Sequence, residues 1–257
     1  GLADIDHELQ VLGIPFLFSN YDEVDHVLAK INDHFETVLE ERGYVLLGWS
    51  EIGFVYMMSN KPMSSVEAVR GAKVWMPEGD PLSQAVFEKA GVSPVPLAIS
   101  DVMLALQTGL VDVIYSTPFG AIALQWFTKV KYITEVPLSY SLGAVVMTQK
   151  SFVDLPEDHQ KTLKRIFRKK LAKLNTEARK ENEEALEVMA REGVQHVELP
   201  PQELARFQAV ARDATEDITG KVFSKGALET VRERLAQFRE RKPLPPPRSI
   251  EKSPDLP

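Results

Sequence analysis

Cysteine is absent from the chain, which excludes disulfides, thiolate metal sites and cysteine nucleophiles and leaves the redox compartment open. No apolar run approaches the roughly 18 residues that a membrane span requires. The opening GLADIDHELQ lacks a basic-then-apolar export pattern, so the signal of an exported form is expected to have been removed before Gly1. A basic surplus is also missing: the net charge is -7, with a pI near 5.4. That balance argues against nucleic acid and anionic membrane surfaces, both of which need a basic stripe. The runs Lys164-Arg165 and Arg168-Lys169-Lys170 sit among acidic neighbours on a predicted helix and read as a solvated face.

Chemical motifs are equally scarce. The five histidines include no HExxH pair, and His26 and His34 stand two helical turns apart, too far to share an ion without a third element. No metal or other cofactor is expected. No GxSxG elbow and no glycine-rich phosphate loop occurs. Glu51, Glu78, Asp80 and Asp112 are the carboxylates available for acid–base work, but Asp80 reads better as a helix cap and Asp112 as a polar strand-end residue. An enzyme would have only Glu51 or Glu78 as its base, so a non-enzymatic role is expected.

What remains is an ordinary globular pattern, with 257 residues, 44% of them hydrophobic and 26% charged, enough for one large domain or two lobes. Ser19-Asn20 can cap a helix over 21–42. Two apolar runs, Tyr44–Trp49 and Gly53–Met58, read as neighbouring strands parted by the polar Ser50-Glu51. Ala72–Met76 predicts a strand, Asp80-Pro81 a helix ended by Gly91, and Ser93–Leu97 an extended segment fixed by two prolines. Ser100-Asp101 should cap a helix over 102–108, followed by a strand at 110–115, a helix from Pro118 to Phe127, and strands at 130–136 and 144–148. The alternation predicts parallel βαβ units and an α/β class. Residues 157–193 carry one long amphipathic pattern, with Leu163, Ile166, Phe167, Leu171, Leu174, Ala178, Ala185, Leu186 and Met189 on one side. A short strand at 194–199 and helices to about Phe223 and over Lys225–Phe238 precede a proline-rich tail at 241–257, expected to be extended or disordered.

Aromatic residues make up 8% of the chain, yet several fall just after strands, where clefts of α/β sheets open. Trp75, Tyr115 and Phe119 together predict a pocket lining, against the alternative of core packing.

These segments resemble the DctP-like solute-binding proteins of tripartite ATP-independent periplasmic (TRAP) transporters. Gly13-Ile-Pro-Phe-Leu-Phe18 is similar to that family's "lPFLF", Gly71–Pro77 to its "GlKiRvp", and Ala105–Asp112 to its "ALqtGvvDG". Val145–Thr148, Ser151–Pro156 and the long following helix resemble its hinge and spanning helix. The resemblance implies a type II periplasmic binding fold, in which two α/β lobes joined by hinge strands close over a small-molecule ligand. It implies a periplasmic location and delivery to TRAP membrane permease subunits, so the only membrane contact is through that protein. Residues 1–54 are expected to form part of lobe 1 with the hinge entry, 55–140 lobe 2, and 141–240 the return to lobe 1. Family members begin with further strands and helices, so lobe 1 is expected to lack its N-terminal part.

The departures from the family pattern run in one direction. The arginine that holds a substrate carboxylate in the family falls on Trp75, and a second one on Val55; neither replacement offers charge or a bidentate fork. Where the family reads "GqENp", this chain has Val113–Pro118, with Ser116 and Thr117 at the matching sites. Ala98 stands where an aromatic ring is common. An uncharged or largely apolar ligand is therefore expected, lined by Trp75, Val55, Tyr115, Ser116, Thr117, Phe119 and Ala98, with Trp49 and Tyr140 beside them. The alternatives are a carboxylate held by residues outside this chain and a protein-interaction module.

Overall fold

The computed structural model describes residues 2–241; the proline-rich tail, expected to be disordered, lies outside the described residues. The helices are α1 (Leu2–Ile5), α2 (Tyr21–Glu41), α3 (Val66–Arg70), α4 (Pro81–Ala90), α5 (Val102–Thr108), α6 (Pro118–Ala123), α7 (Gln149–Val153), α8 (Glu157–Arg191), α9 (Pro201–Ile218) and α10 (Lys225–Arg241). The strands are β1 (Tyr44–Ser59), β2 (Trp75–Pro77), β3 (Val95–Leu97), β4 (Val113–Ser116), β5 (Tyr132–Thr134), β6 (Ser139–Thr148) and β7 (Gln195–Val197). A 3-10 segment, His7–Gly13, joins α1 to the loop before α2.

Local chemistry sets most of these boundaries. Asn20 accepts from the Glu23 N–H at 3.0 Å, Ser65 from Ala68 at 3.1 Å and Asp80 from Ser83 at 3.2 Å, each satisfying a donor that its helix leaves open. Pro81 at the start of α4 lacks the N–H that the first turn cannot bond anyway. Asp101 makes no side-chain cap, contrary to expectation, because a 3-10 turn over Ile99–Asp101 already runs into α5.

The two strands expected at 44–58 are one. β1 runs unbroken for 16 residues, with irregular register between Leu46 and Gly48 and between Glu51 and Gly53. Ser50-Glu51 does not break it because α8 supplies the polar partners. Asn175 accepts from the Glu51 N–H at 3.0 Å and donates to the Trp49 carbonyl at 3.1 Å. β1 is antiparallel to β6 along Tyr44–Val55 and then to β4 along Tyr56–Ser59, with β5 antiparallel at Met58 and Ser59. The centre of the sheet is thus antiparallel, where the alternation had predicted parallel βαβ units. Parallel pairing survives between β2 and β3, between β5 and β7, and at the Val74–Val113 bridge.

This is a mixed α/β fold whose apolar residues gather into separate cores on the two sides of a groove. One apolar cluster joins the 3-10 segment, α2, α10 and the first part of β1 around Val24, Phe35 and Leu39. A second gathers Met58, Trp75, Val102, Ile114, Trp126 and Met189. Leu82 of α4 belongs to the first cluster although its helix follows β2, so the two sides touch across the groove between them. The spanning helix α8 buries Leu171, Asn182, Ala185 and Met189. Ile166 and Leu174, expected on its buried side, are 42% and 50% exposed, because α8 meets the sheet along a narrower stripe than the periodicity suggested.

Candidate functional site

Between the two clusters lies a cleft of about 580 Å3. The 3-10 segment contributes Leu9, Gln10 and Leu12, and the β1–β6 crossing contributes Ile52, Val55 and Ser139–Leu142. The turn after β2 adds Glu78, Gly79 and Asp80, α4 adds Leu82 and Ser83, and the end of β4 adds Tyr115, Ser116 and Thr117. Strand ends and helix starts thus converge where α/β sheets leave an opening.

Of the nine residues selected from the sequence, Trp75, Val55, Tyr115, Ser116, Thr117 and Tyr140 line this cleft. Phe119, Ala98 and Trp49 do not. Phe119 is the second residue of α6; its side chain is 44% exposed and its N–H donates to the Asn182 side chain at 3.1 Å. Ala98 sits at the entry to the turn before α5, where it caps that turn from outside the lining. Trp49 points to the other side of β1, donating from its indole to Asn32 at 2.9 Å and packing on Phe35 within a separate pocket of about 260 Å3.

Trp75 lines the cleft but is only 3% exposed. Its indole N–H donates to the Leu97 carbonyl at 3.0 Å, and the ring packs against Tyr115 and Trp126. Trp75 is thus both a lining residue, as expected, and a core residue, the alternative to it. The Thr117 hydroxyl accepts from the Gly120 N–H at 3.1 Å as the cap of α6, so its oxygen is already engaged.

The polar groups are uneven. Asp4, Glu78 and Asp80 line the cleft, and among the described residues no lysine, arginine or histidine does. Asp80 accepts from the Ser83 hydroxyl at 2.6 Å and from the Gln10 amide at 3.4 Å, which ties the 3-10 segment to α4. The Tyr115 hydroxyl, the Tyr140 hydroxyl and the Gln10 amide oxygen are buried without a hydrogen-bond partner in the protein. Burial pushes both phenols upward, so each is held as a neutral hydroxyl at physiological pH.

Sequence reasoning missed Arg179, which braces β1 without lining the cleft. Arg179 of α8 grips Glu51 through Nε at 2.7 Å and Nη2 at 2.6 Å, and also holds Asp25 of α2, with its guanidinium over the Tyr21 ring. Glu51 is therefore a structural anion. Asp112 likewise accepts from the Lys73 N–H at 2.8 Å. Among the described residues, no cluster of three or more metal-ligating side chains is present.

Residues 1–221 match the family model described as bacterial extracellular solute-binding protein, family 7. The chain belongs to this family. It is a family of solute-binding receptors, which have no catalytic centre to find. The chain is 27% identical over 218 residues to the C4-dicarboxylate-binding periplasmic protein DctP of Rhodobacter capsulatus, covering 84% of this chain and 65% of that protein. It is 29% identical over 228 residues to a solute-binding protein of Verminephrobacter eiseniae, covering 88% and 67%. It thus spans about two thirds of these relatives. Two TRAP periplasmic solute-binding proteins share its fold. The one from Shewanella oneidensis, with bound succinate, has a TM-score of 0.80 at 23% identity, covering 90% of this chain and 76% of that one. The one from Xanthobacter autotrophicus, with bound β-D-galacturonate, has a TM-score of 0.83 at 16% identity, covering 91% and 77%. No helix among the described residues is long and apolar enough to cross a membrane.

Proposed function

We propose that this chain is the extracytoplasmic receptor of a TRAP-type transporter, capturing an uncharged or largely apolar small molecule and presenting it to the membrane permease. The observation that carries the ligand class is the charge of the cleft: Asp4, Glu78 and Asp80 line it, and among the described residues no cationic side chain does. A carboxylate ligand would meet like charge, which costs several kcal/mol across a desolvated interface, and would find no guanidinium fork. Apolar walls supply the affinity instead, at about 25 cal/mol per Å2 of surface buried. In this reading the lobes divide where β1 leaves β6 for β4, at Val55, and where β6 begins, near Tyr140, and they close by bending there.

A second reading is favoured by the ligands named for the structural neighbours, succinate and β-D-galacturonate: a carboxylate held by a cationic group outside this chain. Thermal unfolding of the purified protein with succinate, galacturonate, or neutral aromatic and lipid compounds separates the two. The proposal expects stabilisation only by the neutral set, together with a neutral molecule in the organic extract of the protein. Stabilisation by either acid would sink it.

A further inference from the structure

The cleft is not uniformly apolar. At the start of α4 one polar cluster joins both sides of the groove: Gln10 donates to Asp80 at 3.4 Å, Ser83 donates to Asp80 at 2.6 Å, and the Tyr115 hydroxyl lies toward the Ser83 side chain, which is committed to Asp80, without reaching hydrogen-bond geometry. Within it the Gln10 amide oxygen and the Tyr115 hydroxyl are buried and have no protein partner. An unpaired buried polar atom is costly, and native proteins rarely keep one without a reason. Two of them on residues that line one cavity mark a place where a ligand completes the bonding.

The chemistry of that group follows from the donor and acceptor types. An amide oxygen only accepts, so the ligand must offer an O–H or N–H to Gln10. A phenol both donates and accepts, and so can serve the same ligand group from its other side. Asp80 beside them has its oxygens taken by Ser83 and Gln10, and its charge disfavours a carboxylate. From this we infer that the ligand carries a neutral hydroxyl or primary amide, and that Gln10 and Tyr115 select it. The inference rests on the uncharged-ligand reading and narrows it: the occupant has an apolar body with one donor-bearing head placed at the start of α4.

Ligand-observed NMR titration of the whole chain with four probes of one ring size, benzyl alcohol, benzamide, toluene and benzoate, tests this. Benzyl alcohol and benzamide are expected to bind about tenfold or more tightly than toluene, the worth of one to two buried hydrogen bonds, and benzoate is expected to bind most weakly. In Tyr115→Phe and Gln10→Leu the preference for alcohol over toluene should shrink to within about twofold. Tyr115→Phe removes a hydroxyl that makes no hydrogen bond of normal geometry within the protein, so its melting temperature should stay close to that of the unaltered chain. Equal binding of toluene and benzyl alcohol, an undiminished preference in both variants, or binding of none of the four overturns the inference while leaving the uncharged-ligand reading in place. Preferred binding of benzoate overturns both.

Discussion

The indole N–H of Trp75 donates to the carbonyl oxygen of Leu97 at 3.0 Å, across the parallel pair formed by β2 and β3. The ring centroid lies 5.4 Å from that of Tyr115 and 5.3 Å from that of Trp126, which makes Trp75 a strand clamp first and a lining residue second. Trp75→Ala should cost about 3–5 kcal/mol of stability through the cavity it leaves. Trp75→Phe should cost about 1–3 kcal/mol by orphaning the Leu97 carbonyl and underfilling the site. Urea unfolding checks both, and an alanine variant within about 1 kcal/mol of the parent would remove the clamp assignment.

Arg179 and Glu51 make the second commitment. The Glu51 side chain is 6% exposed and both its oxygens are spent on one guanidinium. Arg179→Met should therefore destabilise by roughly 3 kcal/mol, since it strands a buried carboxylate. Adding Glu51→Gln should recover part of that loss, a coupling that a double-mutant cycle in urea measures. Simple additivity of the two losses would mean that the pair does not act as a unit.

Much of this architecture was legible in the chain because its signals are local. Asn20 and Asp80 announce their helices by capping chemistry, and 157–193 announces the spanning helix by period. The single long β1 was not legible, since Ser50-Glu51 looks like a break until Asn175 and Arg179, more than a hundred residues later, are seen to satisfy it. The site divided the same way. Trp75, Tyr115, Ser116 and Thr117 reach the cleft because strand ends are predictable places, whereas the orientation of Trp49 depends on which face of β1 meets α2. Gln10 carried no sequence signal at all; only its reach across the groove to Asp80 reveals it.

Asn182 joins three parts of the molecule. Its amide donates to the Ile52 and Ala178 carbonyls at 2.9 Å each, and its oxygen accepts from the Phe119 N–H at 3.1 Å. Asn182→Leu keeps the volume and loses every bond, leaving a strand carbonyl and the first turn of α6 unsatisfied. A loss of about 2–3 kcal/mol is expected, with faster hydrogen exchange at Phe119 and Gly120 as the local signature. Unchanged exchange at both amides would refute the link.

Alkaline pH should weaken the fold. Burial pushes the Tyr21 phenol up to about 12, and burial raises Tyr56, Tyr115 and Tyr140 as well. These groups ionise near 10 when unfolded, so above that pH the unfolded chain has shed protons that the native state retains. Stability is fully present below about pH 10 and declines as pH rises toward 12. Melting temperatures across this range should fall while the tyrosinate absorbance of the folded protein lags that of free tyrosine, and Tyr21→Phe should make the fall shallower.

Gly53 sits at the second irregularity of β1 with φ +120°, a region that side chains disfavour. A Cβ built there would lie 2.6 Å from the Asn182 amide nitrogen and 3.3 Å from the Tyr21 hydroxyl. Gly53→Ala therefore meets two obstacles at once, a strained backbone and a side chain already held by the Ile52 and Ala178 carbonyls. The backbone alone costs about 1–3 kcal/mol, and displacing Asn182 adds the loss of its bonds. If both operate, Gly53→Ala in an Asn182→Leu background should cost less than in the parent, because the amide that blocks the new methyl no longer carries bonds to be broken. Equal costs in the two backgrounds would assign the whole penalty to φ. A smaller cost in the double variant would show that the close approach of Asn182 on α8 contributes to the requirement for glycine at position 53.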